Sequence, residues 1–235
     1  MANFVLVPGA WHGGWCYSRV AAVLRARSHD VFTPTLSGLG KHAVSGGKPV
    51  ELATHIQDVI DLIELNGLEE VVLGGHSYAG MVITGVASRM GQRIRTLFYI
   101  DACVPDDGQC ALDIAGPERA RRTREAAAAG AGWIPAPKAE SFNGNPADFG
   151  WIDAQCAPHP IGSLEQPLRL SGTEALVPFR TYVRAGRYRS EVNETAHAKV
   201  AGQQGWKCVV LDCGHEVMLD EPEALAALLL EELDR

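Results

Sequence analysis

Residues 71–80 read VVLGGHSYAG, and this stretch decides how the chain is expected to fold. Its β-branched start predicts a buried strand at residues 70–73, and the apolar pattern after the glycines predicts a helix at residues 77–90. Ser77 is therefore expected on a sharp bend between a strand and a helix. A serine inside G-x-S-x-G at such a bend has the arrangement of an exposed nucleophile, and here Ala79 replaces the last glycine.

The glycines around Ser77 fit the common nucleotide-binding motifs poorly. A phosphate-binding P-loop needs a lysine after its glycines, but Met81 and Val82 follow Gly80. A dinucleotide-binding fingerprint needs three spaced glycines after the first strand, and residues 8–14 (PGAWHGG) lack that spacing. An ordinary tight turn with an incidental serine is the remaining alternative.

Composition places the chain among ordinary globular proteins. It has 235 residues, of which 46% are hydrophobic and 21% are charged, so it can bury one sizeable core. The net charge of −7 disfavours a nucleic-acid partner. The apolar runs are too short to span a membrane and no basic leader precedes the first strand, so we expect no membrane partner and a cytoplasmic location. The six cysteines are scattered without a CxxC pair and are expected to be reduced; no metal or cofactor is predicted.

Strands and helices alternate along most of the chain. This predicts an α/β fold with a mainly parallel, doubly wound sheet that carries helices on both faces. The predicted strands are residues 4–7, 30–33, 70–73, 96–102, 180–183 and 207–211. The predicted helices are residues 15–27, 51–66, 77–90, 194–201 and 222–234. Ligands of such sheets bind beyond the carboxyl ends of the strands, so the functional site is expected at that edge.

One long segment, residues 104–177, lacks this alternation. A structureless loop of that length is unusual in a compact domain, so an inserted cap over the strand ends is expected. The prediction is an α/β core made of residues 1–103 and 178–235, with a cap made of residues 104–177. The clearest helix of the cap is residues 117–129, which form either a solvated face or a dock for an acidic substrate. The arginines of that helix are Arg119, Arg121, Arg122 and Arg124.

A serine hydroxyl needs a base that takes its proton, and His215 is the best placed of the eight histidines. It follows the last predicted strand in the stretch LDCGH, so it opens on the same sheet edge as Ser77. Gly214 allows the turn that aims the ring inward. His76 is expected to point away from the serine. His12 is expected to line the pocket. The remaining histidines are expected to be structural or to lie at the surface; they are His29, His42, His55, His159 and His197.

An oxyanion formed at Ser77 would need two N–H donors. The first expected donor is the amide of Tyr78, which directly follows the serine at the N-terminus of a helix. The second is expected from Ala10, in the PGA turn after the first strand. A plain glycine turn without this role is the alternative for that loop.

These stretches resemble the α/β-hydrolase superfamily, and within it the bacterial relatives of plant methylesterases and hydroxynitrile lyases. The resemblance rests on residues 4–15 (FVLVPGAWHGGW), 35–40 (TLSGLG), 75–80 (GHSYAG) and 99–102 (YIDA), together with Gly214-His215. It implies a serine hydrolase without a cofactor, which cleaves a small carboxylic ester through an acyl-enzyme intermediate. It also implies a small cap over an apolar pocket.

The acid that would support His215 has more than one candidate. The superfamily usually carries an aspartate just after the strand that follows the cap, but residues 185–191 read AGRYRSE. Asp101, near the end of the fourth predicted strand, is the first candidate, because some members of the superfamily place their acid at that strand end. Glu191 and a serine–histidine pair without an acid are the alternatives.

The substrate pocket is predicted to be lined by Trp11, His12, Trp133 and Trp151, with core packing as the alternative for the tryptophans. Plant lyases of the family typically carry a lysine after the catalytic histidine, and Glu216 stands there instead. Ester hydrolysis is therefore favoured, with a lyase and a non-catalytic ligand-binding protein as the alternatives. The expected partner is a small-molecule ester, and the chain is expected to be a monomer or a homodimer.

Overall fold

A parallel sheet of six strands forms the centre of this computed structural model, which describes residues 1–40 and 49–235. In chain order the strands are β1 (Asn3–Val7), β2 (Asp30–Phe32), β3 (Val71–His76), β4 (Ile94–Ile100), β5 (Trp133–Ile134), β6 (His159–Pro160), β7 (Phe179–Ala185) and β8 (Trp206–Leu211). The central sheet has the order β2-β1-β3-β4-β7-β8, with every pair parallel. β5 and β6 form a separate antiparallel pair. The predicted mainly parallel sheet is confirmed.

Helices cover both faces of the sheet, as the alternating pattern predicts. In chain order they are α1 (Ser18–Arg25), α2 (Leu52–Leu65), α3 (Ala79–Met90), α4 (Ala111–Ala115), α5 (Pro117–Ala129), α6 (Phe149–Gln155), α7 (Ile161–Glu165), α8 (Glu191–Val200), α9 (Val217–Asp220) and α10 (Pro222–Glu231). Side chains alternate across each strand. In β1, Val5 and Val7 join the core with α2, α3 and α8, whereas Phe4 and Leu6 join the core with α1, α9 and α10.

The bend after β3 is tighter than the sequence predicts. Gly74 and Gly75, which lie beyond the predicted strand at residues 70–73, continue the strand and pair with Phe98 and Tyr99 of β4. The strand can pass here because Gly74 has no side chain: a Cβ would lie 2.9 Å from the side chain of Leu6. As a result β3 extends to His76, and α3 begins only at Ala79. The chain changes direction within the two residues between them.

The fourth strand also differs from its predicted bounds of 96–102. β4 begins earlier, at Ile94, and ends at Ile100, so Asp101 lies one residue beyond it. The backbone of Asp101 has a φ of +43°, which breaks the extended conformation. Asp101 is therefore the first residue of the connection that leaves the carboxyl edge of the sheet.

The segment after β4 contains α4 to α7 and the β5–β6 pair. Its helix Pro117–Ala129 has the predicted bounds. The segment packs on the loop that follows β1: the indole Nε1–H of Trp11 donates to the carbonyl of Ile134 (3.2 Å), and the amide of Ala157 donates to the carbonyl of Trp11 (2.9 Å). The segment thus lies beside the carboxyl end of β1.

Within residues 1–40 and 49–235, no helix is long and apolar enough to cross a membrane.

Candidate active site

Ser77 lies at the bend between β3 and α3 in a strained backbone conformation. Its φ of +54° is in the left-handed region, which residues with a side chain seldom adopt. Its N–H donates to the carbonyl of Ile100 (3.1 Å), and its carbonyl accepts from the amide of Cys103 (3.0 Å). These two bonds tie the bend to the connection after β4 and hold the serine at the edge of the sheet.

Close backbone contacts explain the small residues on either side of Ser77. A Cβ at Gly75 would come 2.8 Å from the carbonyl oxygen of Ala79, and one at Gly80 would overlap the carbonyl of Cys103. Ala79 is itself fully buried. A larger side chain at any of these positions would have to displace packed neighbours, which the dense interior resists.

The loop after β8 brings the ring of His215 to Ser77. The Nε2 atom is 3.0 Å from Ser77 Oγ, so the hydroxyl donates to an unprotonated Nε2. The backbone amide of His215 donates to the carbonyl of Phe142 (2.8 Å), and the ring of Tyr188 stacks on the imidazole with the ring centroids 4.4 Å apart. The ring is therefore held from the backbone and from one face.

Gly214 is required beside His215, but for a reason that differs from the predicted turn. Its φ is not among the positive values of the described backbone. Instead, a Cβ at Gly214 would overlap the carbonyl of Asn143 and come 2.6 Å from the amide nitrogen of Gly144. A close approach between two loops therefore demands the glycine.

Asp101 occupies the other side of the His215 ring. Its Oδ2 atom is 2.6 Å from Nδ1 of His215, so the Nδ1–H donates to the carboxylate, and its Oδ1 accepts from the amide of Ala185 (3.1 Å). The carbonyl of Asp101 accepts from the side-chain amide of Asn193 (2.8 Å). The carboxylate is fully buried, and hydrogen bonds to both of its oxygens offset the cost of removing it from water.

Glu191, the second candidate for the acid, lies elsewhere. It is the first residue of α8 and faces a surface groove of about 770 Å³ between the start of α5 and α8, which we call the outer groove. The charged residues of the outer groove are Asp106, Asp113, Glu118, Arg119, Arg122, Glu191 and Lys199. Because Asp101 already accepts the Nδ1–H of His215, the geometry favours Asp101 among the candidates for the acid.

His76 is buried beside His215, and its hydrogen bond points away from the serine hydroxyl. Its Nε2–H donates to the backbone carbonyl of His215 (2.9 Å). Burial, together with the nearby rings of His215 and His12, holds the pKa of His76 well below its ordinary value. His76 therefore stays neutral and supports the loop that carries His215.

Two backbone amides near Ser77 are free to bind an anion. Within the described part of the chain, the N–H groups of Ala10 and Tyr78 have no hydrogen-bond acceptor. Both residues line the same cavity as Ser77 and His215. Both amides are therefore available to a substrate oxygen, and their role as the pair of oxyanion donors stays a prediction.

The cavity at Ser77 is small, about 100 Å³, and most of its walls are apolar. Its lining residues are Ala10, Trp11, Ser77, Tyr78, Cys103, Ala111, Leu112, Ala115, Arg119, Thr123, Leu164, Tyr188, Ser190, Val192, Asn193 and His215. Burial raises the pKa of the Cys103 thiol to about 11, so this thiol is not a competing nucleophile at neutral pH.

Of the predicted pocket residues, Trp11 lines the cavity and the remaining three do not. Trp133 lies on β5, and its ring would be 3.2 Å from a Cβ at Gly38. Trp151 packs edge-to-face on Trp15 with ring centroids 5.0 Å apart, and 37% of it is exposed. The structure therefore places Trp133 and Trp151 outside the lining of this cavity.

His12 also lies outside the lining of the cavity. Its Nδ1–H donates to the carbonyl of Ala10 (2.8 Å), and its Nε2 is 3.3 Å from a carboxylate oxygen of Glu216. Both side chains are buried. Glu216 therefore faces His12 rather than the cavity, and His12 holds the loop that presents the Ala10 amide.

The sequence analysis missed that Tyr188 packs on the imidazole of His215. It predicted the remaining histidines only as structural or surface residues. Residues 185–191 lack an aspartate at the expected position, but the aromatic side chain at the same sheet edge was a signal for a residue that packs on the site. Of the remaining histidines, His55 and His159 are buried, and His42 lies outside the described residues.

Comparisons with known proteins agree with this fold. The model described as "Alpha/beta hydrolase family" matches residues 4–228. The chain is 41% identical to the carbendazim hydrolyzing esterase of Nocardioides sp. (strain SG-4G), over 97% of this chain and 98% of that protein. It is 31% identical to methyl jasmonate esterase 1 of Vitis vinifera, over 44% of this chain and 40% of that protein. An extracellular alpha/beta-hydrolase from a Paenibacillus species shares the fold with a TM-score of 0.85 and 23% identity, over 99% of both chains.

Proposed function

The chain belongs to the alpha/beta hydrolase family, and from that premise we propose that it is an esterase with Ser77 as its nucleophile. The observation that carries the proposal is the distance of 3.0 Å between Ser77 Oγ and His215 Nε2 at the wall of a cavity. A serine and a neutral imidazole at this distance form an activated nucleophile. The names of the relatives, an esterase from Nocardioides and esterases from plants, support hydrolysis of a small carboxylic ester.

In the proposed reaction, Ser77 Oγ attacks the ester carbonyl carbon while its proton passes to His215 Nε2. The carbonyl oxygen becomes an oxyanion, which accepts hydrogen bonds from the amides of Ala10 and Tyr78. The bond between the carbonyl carbon and the alcohol oxygen then breaks, and the proton on Nε2 passes to the departing alkoxide. Water repeats the sequence on the acyl-enzyme and releases the carboxylic acid.

Asp101 has the proposed role of the triad acid. Its carboxylate accepts the Nδ1–H of His215, which keeps Nε2 unprotonated in the resting state and stabilises the imidazolium that forms during attack. Tyr188 and the amide bond to Phe142 hold the same ring in place. These contacts thus hold His215 in the tautomer and orientation in which Nε2 can take the proton of Ser77.

Residues 104–177 are proposed to act as a cap on a core made of residues 1–103 and 178–235. The support is that Leu112, Arg119 and Leu164 of this segment line the cavity at Ser77. The cap would then determine which esters reach the serine.

The proposal is tested with a fluorophosphonate probe and a short activated ester such as 4-nitrophenyl acetate. We expect the probe to label the wild-type chain, and Ser77→Ala to abolish labelling and to lower kcat/KM by on the order of 10⁴-fold or more. His215→Ala is expected to lower it to a similar extent. Ser190→Ala is the matched control, because this hydroxyl lines the same cavity but bonds to Asn193.

Two outcomes would contradict the proposed esterase function. A wild-type chain that is neither labelled nor active would contradict the proposal and favour a non-catalytic ligand-binding protein. Labelling of Ser77 together with cyanide release from a cyanohydrin, but no ester cleavage, would favour a lyase.

A further inference from the structure

We propose that Arg119 makes the enzyme selective for esters that carry a carboxylate at a distance from the scissile bond. The inference rests on the proposed esterase function and adds the substrate class. It starts from the lining of the cavity at Ser77, in which Arg119 is the only side chain with a permanent charge among the described lining residues. The wall around it is otherwise neutral, with Ala115 and Thr123 on the same side.

The remaining three arginines on α5 form ion pairs with carboxylates. Arg121 pairs with Glu118 (3.0 Å), Arg122 pairs with the same glutamate (2.8 Å), and Arg124 pairs with Glu165 (2.7 Å). In the described part of the chain, no carboxylate lies within 4.0 Å of the Arg119 guanidinium. One helix thus presents three paired arginines and a fourth whose charge is left for another partner.

The charge of Arg119 reaches the inner part of the cavity. Burial raises the pKa of Tyr188, and the nearby guanidinium of Arg119 opposes that rise. Burial also raises the pKa of Cys103, and again the charge of Arg119 acts in the opposite direction. Tyr188 stacks on His215, so the guanidinium lies one side chain away from the ring that serves Ser77.

Arg119 also lines the outer groove, and so it stands between the groove and the cavity. Several carboxylates of the groove are engaged elsewhere. Asp106 pairs with Lys199 (2.7 Å), Asp113 accepts from the amide of Cys110 (2.9 Å), and Glu118 is held by its two arginines. A substrate that enters through the groove therefore meets a cation immediately before the nucleophile.

The chemistry of the site defines the preferred substrate. A guanidinium binds a carboxylate through two parallel hydrogen bonds, which a neutral group of the same shape cannot reproduce. The acyl chain would place its ester carbonyl at Ser77 and its free carboxylate at Arg119, with the methylene chain against Leu112 and Leu164. Half-esters of aliphatic dicarboxylic acids have this arrangement.

The experiment compares monoethyl esters of dicarboxylic acids, from succinate to suberate, with the matching ethyl esters whose free acid is a primary amide. We expect wild-type kcat/KM to favour the carboxylate over the amide by about 10-fold at the best chain length, through KM. In Arg119→Gln the ratio should fall to about one, and because both kcat/KM values come from the same variant, the ratio does not depend on a general change in activity. Arg122→Gln, from the groove side of the same helix, is the control and should keep the wild-type ratio.

Two results would overturn the inference. One is a wild-type ratio near one at every chain length, and the second is an Arg119→Gln variant that keeps the wild-type ratio. Both are distinct from failure of the proposed function, in which neither the carboxylate nor the amide ester would be cleaved in a Ser77-dependent reaction.

Discussion

The carboxylate of Asp101 lies 2.6 Å from the imidazole Nδ1 of His215, although 114 positions separate the two residues in the sequence. Asp101 follows β4, and His215 follows β8. In the sheet only β7 stands between these two strands, so their carboxyl ends are close enough for the two side chains to meet. The oxygen that does not face the histidine accepts from the amide of Ala185, the last residue of β7.

This relationship predicts that Asp101→Asn removes most of the esterase activity. An asparagine keeps the shape but holds the imidazole in the wrong tautomer, so we expect kcat to fall by roughly 10³–10⁴-fold in steady-state assays with 4-nitrophenyl acetate. Glu191→Gln is the matched control and is expected to stay within about twofold of the wild type, because Glu191 faces the outer groove. Loss of activity only in Glu191→Gln would contradict the assignment of the acid.

The bond from His12 to Ala10 predicts a role for His12 in placing an oxyanion donor. In His12→Asn the side-chain amide can take the place of Nδ1–H and still donate to the carbonyl of Ala10, whereas His12→Leu cannot. Removing a complete oxyanion donor costs about 10²–10³-fold in kcat, so we expect His12→Leu to lose about 10–100-fold and His12→Asn less. The measurement is kcat and KM for both variants. Equal losses in the two would contradict a role for the bond to Ala10.

The close contact at Gly214 predicts that Gly214→Ala disturbs both stability and catalysis. Its new methyl group would overlap the carbonyl of Asn143, so the loop of His215 must shift, at a cost of about 1–3 kcal/mol in the free energy of unfolding. We also expect a lower kcat, because the ring moves relative to Ser77. Urea denaturation and the ester assay measure the two effects.

Gly150→Ala is the control for that substitution. Gly150 lies in α6, and a Cβ there would meet no heavy atom within 4 Å. Alanine has the higher helix propensity, so the variant is expected to be unchanged or more stable by up to about 1 kcal/mol. A Gly214→Ala variant with wild-type stability and activity would show that the two loops separate without cost.

The buried histidines predict that the protein loses stability in mild acid. Burial lowers the pKa of His159 well below its ordinary value, and the nearby His55 lowers it further. The Nδ1 of His159 accepts from the amide of Trp11 (3.3 Å), so protonation would break this bond. The unfolded chain takes up protons near pH 6.5, and the folded chain does so only at lower pH. The contribution of neutral His159 to the free energy of unfolding is therefore complete above about pH 6.5. It is lost as the pH falls toward the lowered pKa of the folded chain.

Urea denaturation between about pH 7.5 and 5 measures this effect as the slope of the free energy of unfolding against pH. Each histidine held neutral contributes at most about 1.4 kcal/mol per pH unit. His159→Gln should reduce the slope without abolishing it, because the pKa of His76 is lowered as well. A slope that is the same in His159→Gln and the wild type would contradict this prediction.

The sequence was most informative where one local pattern implies one local structure. The run VVLGGHSYAG contains the strand, the bend and the helix in ten neighbouring residues, and steric contacts around Ser77 act mainly within that stretch and with Cys103. The helix at residues 117–129 was predicted to the residue, because Gly116 and Pro117 mark its start and Gly130 follows its end.

The same patterns were less informative about side chains that act through distant partners. Trp133 and Trp151 were predicted to line the pocket from their place in the cap, but the direction of a side chain in an irregular segment depends on what it packs against. Arg119 was one of four similar arginines in the sequence. Its place in the lining of the cavity at Ser77 and the ion pairs of its three neighbours with Glu118 and Glu165 distinguish it.

The order of residues by itself determined the parallel sheet and the candidates Ser77 and His215, because hydrophobic periodicity and the rule that ligands bind at the carboxyl ends of strands require no knowledge of distant contacts. The tertiary structure alone decided that Asp101, rather than Glu191, accepts the hydrogen bond from the imidazole of His215. The physical reason is that the choice depends on which strands are neighbours in the sheet, and on a backbone turn at Asp101 held by Val183 and Asn193.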